Sequence, residues 1–402
     1  MRKLTADYLF TGKEMAPAGS VLVIKDDGTI ETILSAGEAG EGVESLTGLL
    51  TPGFINCHCH LELSHMKGVL PERTGLVDFL LSVIRGRGAG ATPAGVLNAI
   101  TAAEESMLHN GIVAVGDICN TSLTLPQKGE GRLYYHNFIE TMGFAEQSAH
   151  DRYTSSVALF NDFAEAYTLP IEANSLVPHA PYSVSSRLFQ MIADFPGNHV
   201  LTIHNQESAA ENLFYETGQG DLLRLYKGLG LDTSFFKGTG KRSMAGYVPY
   251  FRRNQTLLLV HNVDTREEDL QWWAGWRNAA PLSKGVPRIY FCLCPNANLY
   301  ISGQLPDVDL LLRHQCDIVL GTDSLASNHQ LDILEEMKIL QHYYPDLSIE
   351  TLLQWGTSNG AKALQLDGIL GGFTPGKQPG VVLIEGIENG RFSRHARPQR
   401  LV

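Results

Sequence analysis

One pattern recurs eight times through the middle of the chain: a short apolar run of strand length, then a longer segment with helical periodicity. The runs are Gly53–His60, Ile112–Ile118, Leu133–Ile139, Ala173–His179, His199–His204, Thr256–His261, Arg288–Leu293 and Cys316–Asp323. Eight strand-then-helix units over about 300 residues are what a (β/α)8 TIM barrel of the α/β class requires. A doubly wound sheet would show the same alternation, but no glycine fingerprint follows the first strand to support one. Helix starts are marked in places, as at Thr265-Arg266-Glu267-Glu268, a capping pattern ahead of Leu270, Trp273 and Trp276.

The two ends read differently. Val21-Leu22-Val23-Ile24 runs into the turn Lys25-Asp26-Asp27-Gly28, and Thr29–Leu34 returns as in a hairpin. Near the other end, Thr374-Pro375-Gly376-Lys377-Gln378-Pro379-Gly380 is turn chemistry ahead of the strand Val381-Val382-Leu383-Ile384. The expected organisation is a barrel over residues 51–366, with residues 1–50 and 367–402 forming a small β-rich domain from both termini.

Composition narrows the class of partner. The 402 residues are 44% apolar and 18% charged, which suits a large core and argues against disorder. A net charge of −12 repels phosphate backbones, so nucleic acid is not an expected partner. No run of ~18 apolar residues would span a membrane. The start, Met1-Arg2-Lys3-Leu4-Thr5-Ala6-Asp7, meets an acidic residue before any long apolar run, so no signal peptide is expected. Cys57, Cys59, Cys119, Cys292, Cys294 and Cys316 then read as buried thiols of a reducing cytoplasm rather than three disulfides.

Chemistry-bearing residues gather where the strands end. In Pro52-Gly53-Phe54-Ile55-Asn56-Cys57-His58-Cys59-His60, residues two apart share a face, so His58 and His60 project together and could bind one metal as a pair. Alone, a His-x-His pair is a weak signal and reads more readily as two solvent-facing or satisfied histidines. Strand four ends in Pro178-His179, strand five in His204-Asn205-Gln206-Glu207, strand six in His261-Asn262 and strand eight in Thr322-Asp323-Ser324. Barrel active sites are assembled from such ends, although a histidine there is often core and an aspartate often a helix cap.

The motifs Pro-Gly-Phe-x-Asn-x-His-x-His (52–60), Pro-His-Ala-Pro-Tyr (178–182), His-x-x-Glu (204–207), His261, Cys-Pro-x-x-Asn (294–298) and Gly-Thr-Asp-x-x-x-Ser-Asn (321–328) together resemble the amidohydrolase superfamily. The branch is that of chlorotriazine hydrolases and of S-adenosylhomocysteine, methylthioadenosine, guanine and aminofutalosine deaminases. The resemblance spans the whole chain. It implies metal ligands at His58, His60, His204 and Asp323, catalytic roles for Glu207, His261 and Asp323, and substrate contacts at His179, Glu62 and Ser327. It also implies hydrolytic deamination of an amino-substituted heterocycle, a purine, nucleoside or related ring. An amidase or a dechlorinating hydrolase on the same barrel is the alternative. Members with two metals bridge them through a modified lysine on strand four. No lysine lies between Lys128 and Lys227, so one divalent ion is expected, zinc first and iron second. A small-molecule substrate and a homo-oligomer follow from the resemblance alone. Departures are Cys59, where a polar residue or histidine is common, and Gln378-Pro379-Gly380-Val381-Val382, where the family usually has Ala-Asp-Leu-Val.

In that reading a bound cation lowers the pKa of water from ~15.7 toward ~7. Asp323 takes the proton, His261 orients the nucleophile, and Glu207 protonates a ring nitrogen. The competing reading makes Glu207 a first-turn helix glutamate, because Ser208-Ala209-Ala210-Glu211 looks helical. Glu62 sits in His60-Leu61-Glu62-Leu63, a pattern similar to aminofutalosine deaminases, and reads alternatively as a loop glutamate. Glu140, Arg73, Arg85 and Arg87 are further pocket candidates, while Trp272, Trp273, Trp276 and Trp355 are expected to pack.

Overall fold

The computed structural model describes residues 1–88, 91–166, 174–252, 254–279 and 287–402. The eight runs form strands Phe54–Cys59, Ile112–Cys119, Tyr134–Thr141, Asn174–Pro178, Val200–Asn205, Thr256–His261, Arg288–Leu293 and Asp317–Leu320. Ala173, the expected start of the fourth, lies outside the described residues. Strands one to four and five to eight make two parallel arrays. Backbone bonds close both seams. His204 N–H donates to His179 O at 2.9 Å between strands four and five, and the N–H groups of Thr322 and Asp323 both donate to His58 O at 3.0 Å between eight and one. The closed barrel explains the continuous apolar runs: strands one, two, five and six are buried at every position, packed inside the barrel and under helices outside it.

Two details depart from the sequence pattern. The helix after strand six is Glu267–Ala279, but Thr265 does not cap it. The Thr265 hydroxyl donates to Gln206 Oε1 at 2.7 Å, and the Asp269 carboxylate accepts from Arg266 N–H at 2.9 Å in its place. Trp355 is core, whereas Trp272, Trp273 and Trp276 are only half-buried and stack on one another along that helix. All six cysteines are free.

The ends of the chain fold together. One sheet runs Ile30–Leu34, Val21–Ile24, Arg2–Thr5, Val43–Ser45. The second, Arg391–Arg400, Val381–Glu388, Leu49–Pro52, Tyr8–Leu9, sets a C-terminal hairpin beside N-terminal strands. Leu4, Leu22 and Ile30 from the first share one apolar cluster with Leu50, Val381 and Leu383 from the second. Gly53 marks the join with the barrel: a Cβ there would lie 2.3 Å from Val113 Cγ1 and 2.8 Å from Pro379 O, so no side chain fits. Among the described residues, no helix is long and apolar enough to cross a membrane.

Candidate metal centre

His58 and His60 emerge from one face of the first strand, as their spacing requires. Their Nε2 atoms lie 3.2 Å apart, and His204 Nε2, from the end of strand five, lies 3.3 Å from His60 Nε2. Asp323 Oδ1 is 3.6 Å from His58 Nε2 and 3.3 Å from His60 Nε2. Tetrahedral ligands ~2.0–2.1 Å from a zinc ion stand about 3.3 Å from one another, so these separations match the edges of such a site.

Protonation agrees with that geometry. His204 Nδ1 donates to His179 O at 2.8 Å, which leaves the lone pair of a neutral ring on Nε2, facing the cluster. Burial holds His204 down to about 4 and His60 well below the usual histidine range, so both rings are neutral at neutral pH, each with one nitrogen lone pair free. Burial alone would raise Asp323, but the His58 hydrogen bond and the surrounding imidazoles outweigh it and keep the carboxyl ionised. Three imidazole nitrogens and one carboxylate oxygen fit a divalent ion of zinc or iron type. His58 Nδ1, buried on the outer side of its ring, has no partner among the described residues.

Backbone geometry aims these groups. Asp323 (φ +57°), Gln206 (φ +47°), His261 (φ +78°) and Asn262 (φ +61°) are non-glycine residues in the left-handed region, all at strand ends around the cluster. Gly321 lets strand eight approach, since a Cβ there would lie 2.8 Å from His58 Cβ. Asn56 locks the same seam: its Nδ2 donates to Thr322 Oγ1 at 2.8 Å and its Oδ1 accepts from Thr322 N–H at 3.0 Å.

Glu207 and His261 meet beside the four. Glu207 Oε1 is 3.6 Å from His261 Nε2, and both side chains are buried. Glu207 precedes Ser208, the N-cap of helix Ala209–Thr217, so it is not a first-turn glutamate. Burial, then the negative charges of Asp323 and Glu211, push its carboxyl well above the usual range. Asn298 Nδ2 donates to His261 Nδ1 at 2.9 Å, which places the proton of a neutral ring on Nε2, toward Glu207. Asn298 came from the Cys-Pro-x-x-Asn motif without an assigned role.

The expected substrate contacts divide. His179 lies at the wall, its ring 4.8 Å from that of His204 and its Nδ1 bound to Ser183 Oγ at 2.7 Å. Ser327 is fully buried, and its hydroxyl donates to Asp323 Oδ2 at 2.6 Å, which orients the aspartate. Glu62 is likewise taken up internally. One oxygen pairs with Arg87, and the other accepts from Asn120 N–H, Thr121 N–H and Thr121 Oγ1 at 3.3, 3.1 and 2.8 Å. Glu140 takes the wall position instead. Its Oε2 accepts from Asn120 Nδ2 at 3.0 Å, and its Oε1 is 3.7 Å from His204 Nδ1. Arg73 and Arg85 are exposed. Sequence reasoning missed Asn120 and Glu211, which carry no local signature; Glu211 Oε1 accepts from Gln206 N–H at 2.8 Å and so fixes the residue before Glu207.

Comparison with known proteins agrees with this architecture. The chain is 28% identical to an adenosine deaminase of Helicobacter pylori, over 79% of this chain and 75% of that protein. The crystal structure of Helicobacter pylori aminofutalosine deaminase with methylthio-coformycin superposes with a TM-score of 0.80 at 20% identity, covering 100% of both chains. That of a zinc-complexed atrazine chlorohydrolase from Arthrobacter aurescens TC1 superposes with a TM-score of 0.71 at 17% identity, covering 98% of this chain and 89% of the other. Residues 49–397 match the model of the Amidohydrolase family, and the chain belongs to that family.

Proposed function

We propose that this protein is a metal-dependent hydrolase that deaminates an amino-substituted heterocycle, a purine nucleoside or a related compound. The observation that carries the reading is the convergence of His58, His60 and His204, with Asp323 Oδ1 3.6 and 3.3 Å from the first two and a buried Glu207 beside them. The adenosine deaminase among its relatives and the inhibitor-bound aminofutalosine deaminase among its structural neighbours support an aminopurine ring as substrate.

His58, His60, His204 and Asp323 would hold one zinc ion, whose bound chemistry is Lewis acidity that brings the pKa of water toward ~7. Asp323 is held ionised by its neighbours and accepts a proton from the attacking water. His261 presents Nε2–H toward Glu207 and orients the nucleophile. Burial and two carboxylates disfavour the Glu207 anion and raise its carboxyl well above the usual range, which favours the protonated form. Glu207 delivers that proton to the ring nitrogen next to the attacked carbon; the amine departs as ammonia with the proton Asp323 took from water, and Glu207 regains its proton from the new hydroxyl as the carbonyl forms. His179 and Glu140 line the substrate wall, and Glu62 acts through Arg87 and the Asn120-Thr121 loop rather than by touching substrate.

The test is an ammonia-release screen over aminopurines, adenosine derivatives, aminofutalosine and aminotriazines, run with metal analysis of the same preparation. Ammonia release with about one metal per chain supports the reading. Chloride release from a chlorotriazine without ammonia from any amine moves the protein to the dehalogenating alternative, and two essential metals per chain would sink the single-ion site.

A further inference from the structure

Lys128 is the least expected residue of the interior. It ends the short helix Leu125–Lys128 after the second barrel strand, and its side chain is fully buried. Its ammonium lies 2.6 Å from Asp117 Oδ2, 2.7 Å from Asn137 Oδ1 and 3.3 Å from Cys119 Sγ. The rings of Tyr135 and Phe163 are 4.9 and 5.2 Å from Nζ. Burial alone would favour the neutral amine, but Asp117 and Cys119 outweigh it and Lys128 keeps its charge.

The other oxygen of Asp117 leads to the metal centre. Oδ1 accepts from Leu61 N–H at 2.8 Å. That N–H directly follows His60 and opens the turn Leu61–Met66, which His60 does not cap with its side chain. The bond also falls where the strand ladder slips. From Asn56 to Cys59 the first strand advances three residues, while its partner advances two, from Val115 to Asp117. The slip lies beside His58, so the pairing with the second strand is irregular there and the backbone is held on the strand-eight side alone, through His58 O.

We propose that Asp117, anchored by Lys128, is a positioning residue for the metal centre: it holds the chain at Leu61, past the slipped register, and thereby fixes the His60 ring and the Glu62 loop. The inference rests on the reading of His60 as a ligand. A buried ion pair is a weak device for stability, since apolar replacement of both partners is often neutral or better. Delivery of an acceptor to Leu61 accounts for its presence here. Groups that orient metal ligands typically change affinity 10–100-fold.

Two double variants isolate that acceptor. Asp117→Asn/Lys128→Met removes both charges and keeps a side-chain oxygen for Leu61 N–H; Asp117→Leu/Lys128→Met removes both charges and the oxygen. Zinc affinity is read by competition with a chromogenic chelator, alongside kcat, KM and the thermal midpoint. The first variant should bind zinc within about 3-fold of wild type and the second at least ~10-fold more weakly, at similar thermal midpoints. Equal zinc affinities in the two would overturn the positioning role while wild-type binding leaves the ligand set standing. Wild-type protein that binds no zinc would overturn both. If neither variant folds, amide exchange in the wild-type holoprotein decides. Strand-like protection of the Leu61 amide supports the bond, and exchange at the rate of an exposed loop refutes it.

Discussion

Glu207→Gln separates chemistry from architecture at the proposed acid. The substitution preserves shape in a buried position and removes only the titrating proton. If Glu207 protonates the substrate in the transition state, kcat and kcat/KM should fall by similar factors of ~10²–10⁴. At ~1.4 kcal/mol per tenfold, that is a barrier increase of about 3–5 kcal/mol. A helix-dipole role would instead be worth ~0.3–1 kcal/mol of stability and no turnover. The position of Glu207 ahead of the Ser208 cap already weakens that role. The pH dependence carries the same signature. The active form is the protonated one, and its pKa is raised by burial and by Asp323, so wild-type activity should decline on the alkaline side as the proton is lost. The variant should lose that limb. Initial rates of ammonia release across pH, with metal content measured on the same samples, decide the matter. A variant that keeps its metal and more than about a third of wild-type kcat would refute the acid assignment. One that loses its metal would make Glu207 part of the binding site.

Three further substitutions test the surrounding framework. Ser327→Ala strips Asp323 Oδ2 of its 2.6 Å donor; loss of a hydrogen bond to a charged group is worth ~1.5–3 kcal/mol, so the thermal midpoint and zinc affinity should fall with KM nearly unchanged, whereas a raised KM alone would make Ser327 a substrate contact. Glu336, wholly buried and accepting from Asn296 N–H and Asn328 Nδ2 at 2.9 Å each, is pushed by burial up to about 8. The folded state therefore holds a proton that the unfolded chain releases above ~4.3, and stability should fall as pH rises toward 8 at up to ~1.4 kcal/mol per unit; Glu336→Gln should flatten that decline in denaturation midpoints, and parallel wild-type and variant curves would contradict it. Asn262→Ala should destabilise more than Asn262→Gly by ~1–2 kcal/mol, because both lose the amide bonds but only alanine strains φ +61°; equal midpoints would remove backbone strain from the account.

What the sequence made legible was whatever local periodicity encodes. The strands were readable because they are buried on both faces over most of their length, so several, such as Thr256–His261, appear as nearly unbroken apolar runs. His58, His60, His204 and Asp323 were readable because strand ends in a barrel converge. The partners of those residues were not. Lys128 stands in Pro-Gln-Lys-Gly, which reads as a solvated turn, and its burial depends on Asp117 and Asn137 from two different strands. Glu62 looked free for substrate because Asn120 and Thr121, which occupy it, lie nearly sixty residues away. Thr265 looked like a cap because its competitor for the hydroxyl, Gln206, belongs to another strand end. Side-chain pairing across the barrel leaves no period in the chain.

The strained residues explain why so many of those pairings cluster here. A residue in a barrel strand points either to the axis or to the outer helices, which brings His58, His60 and His204 together but leaves residues at other strand ends to be aimed by their own backbone. Entry into the left-handed region at a strand end gives a third direction, at a cost of order 1–3 kcal/mol for a non-glycine residue. Gln206, His261, Asn262 and Asp323 all take it. Three of them are held by a bond from their own N–H: Gln206 to Glu211 Oε1, Asn262 to Asn205 O, and Asp323 to His58 O. His261 is held through its ring by Asn298. Glycine at these positions would relieve the strain but would also discard the side chain that the strain exists to aim. The backbone cost and the buried polar bonds are therefore two parts of one arrangement, and a substitution in the bonding partners should reach the metal centre through these four dihedral angles rather than through contact with substrate.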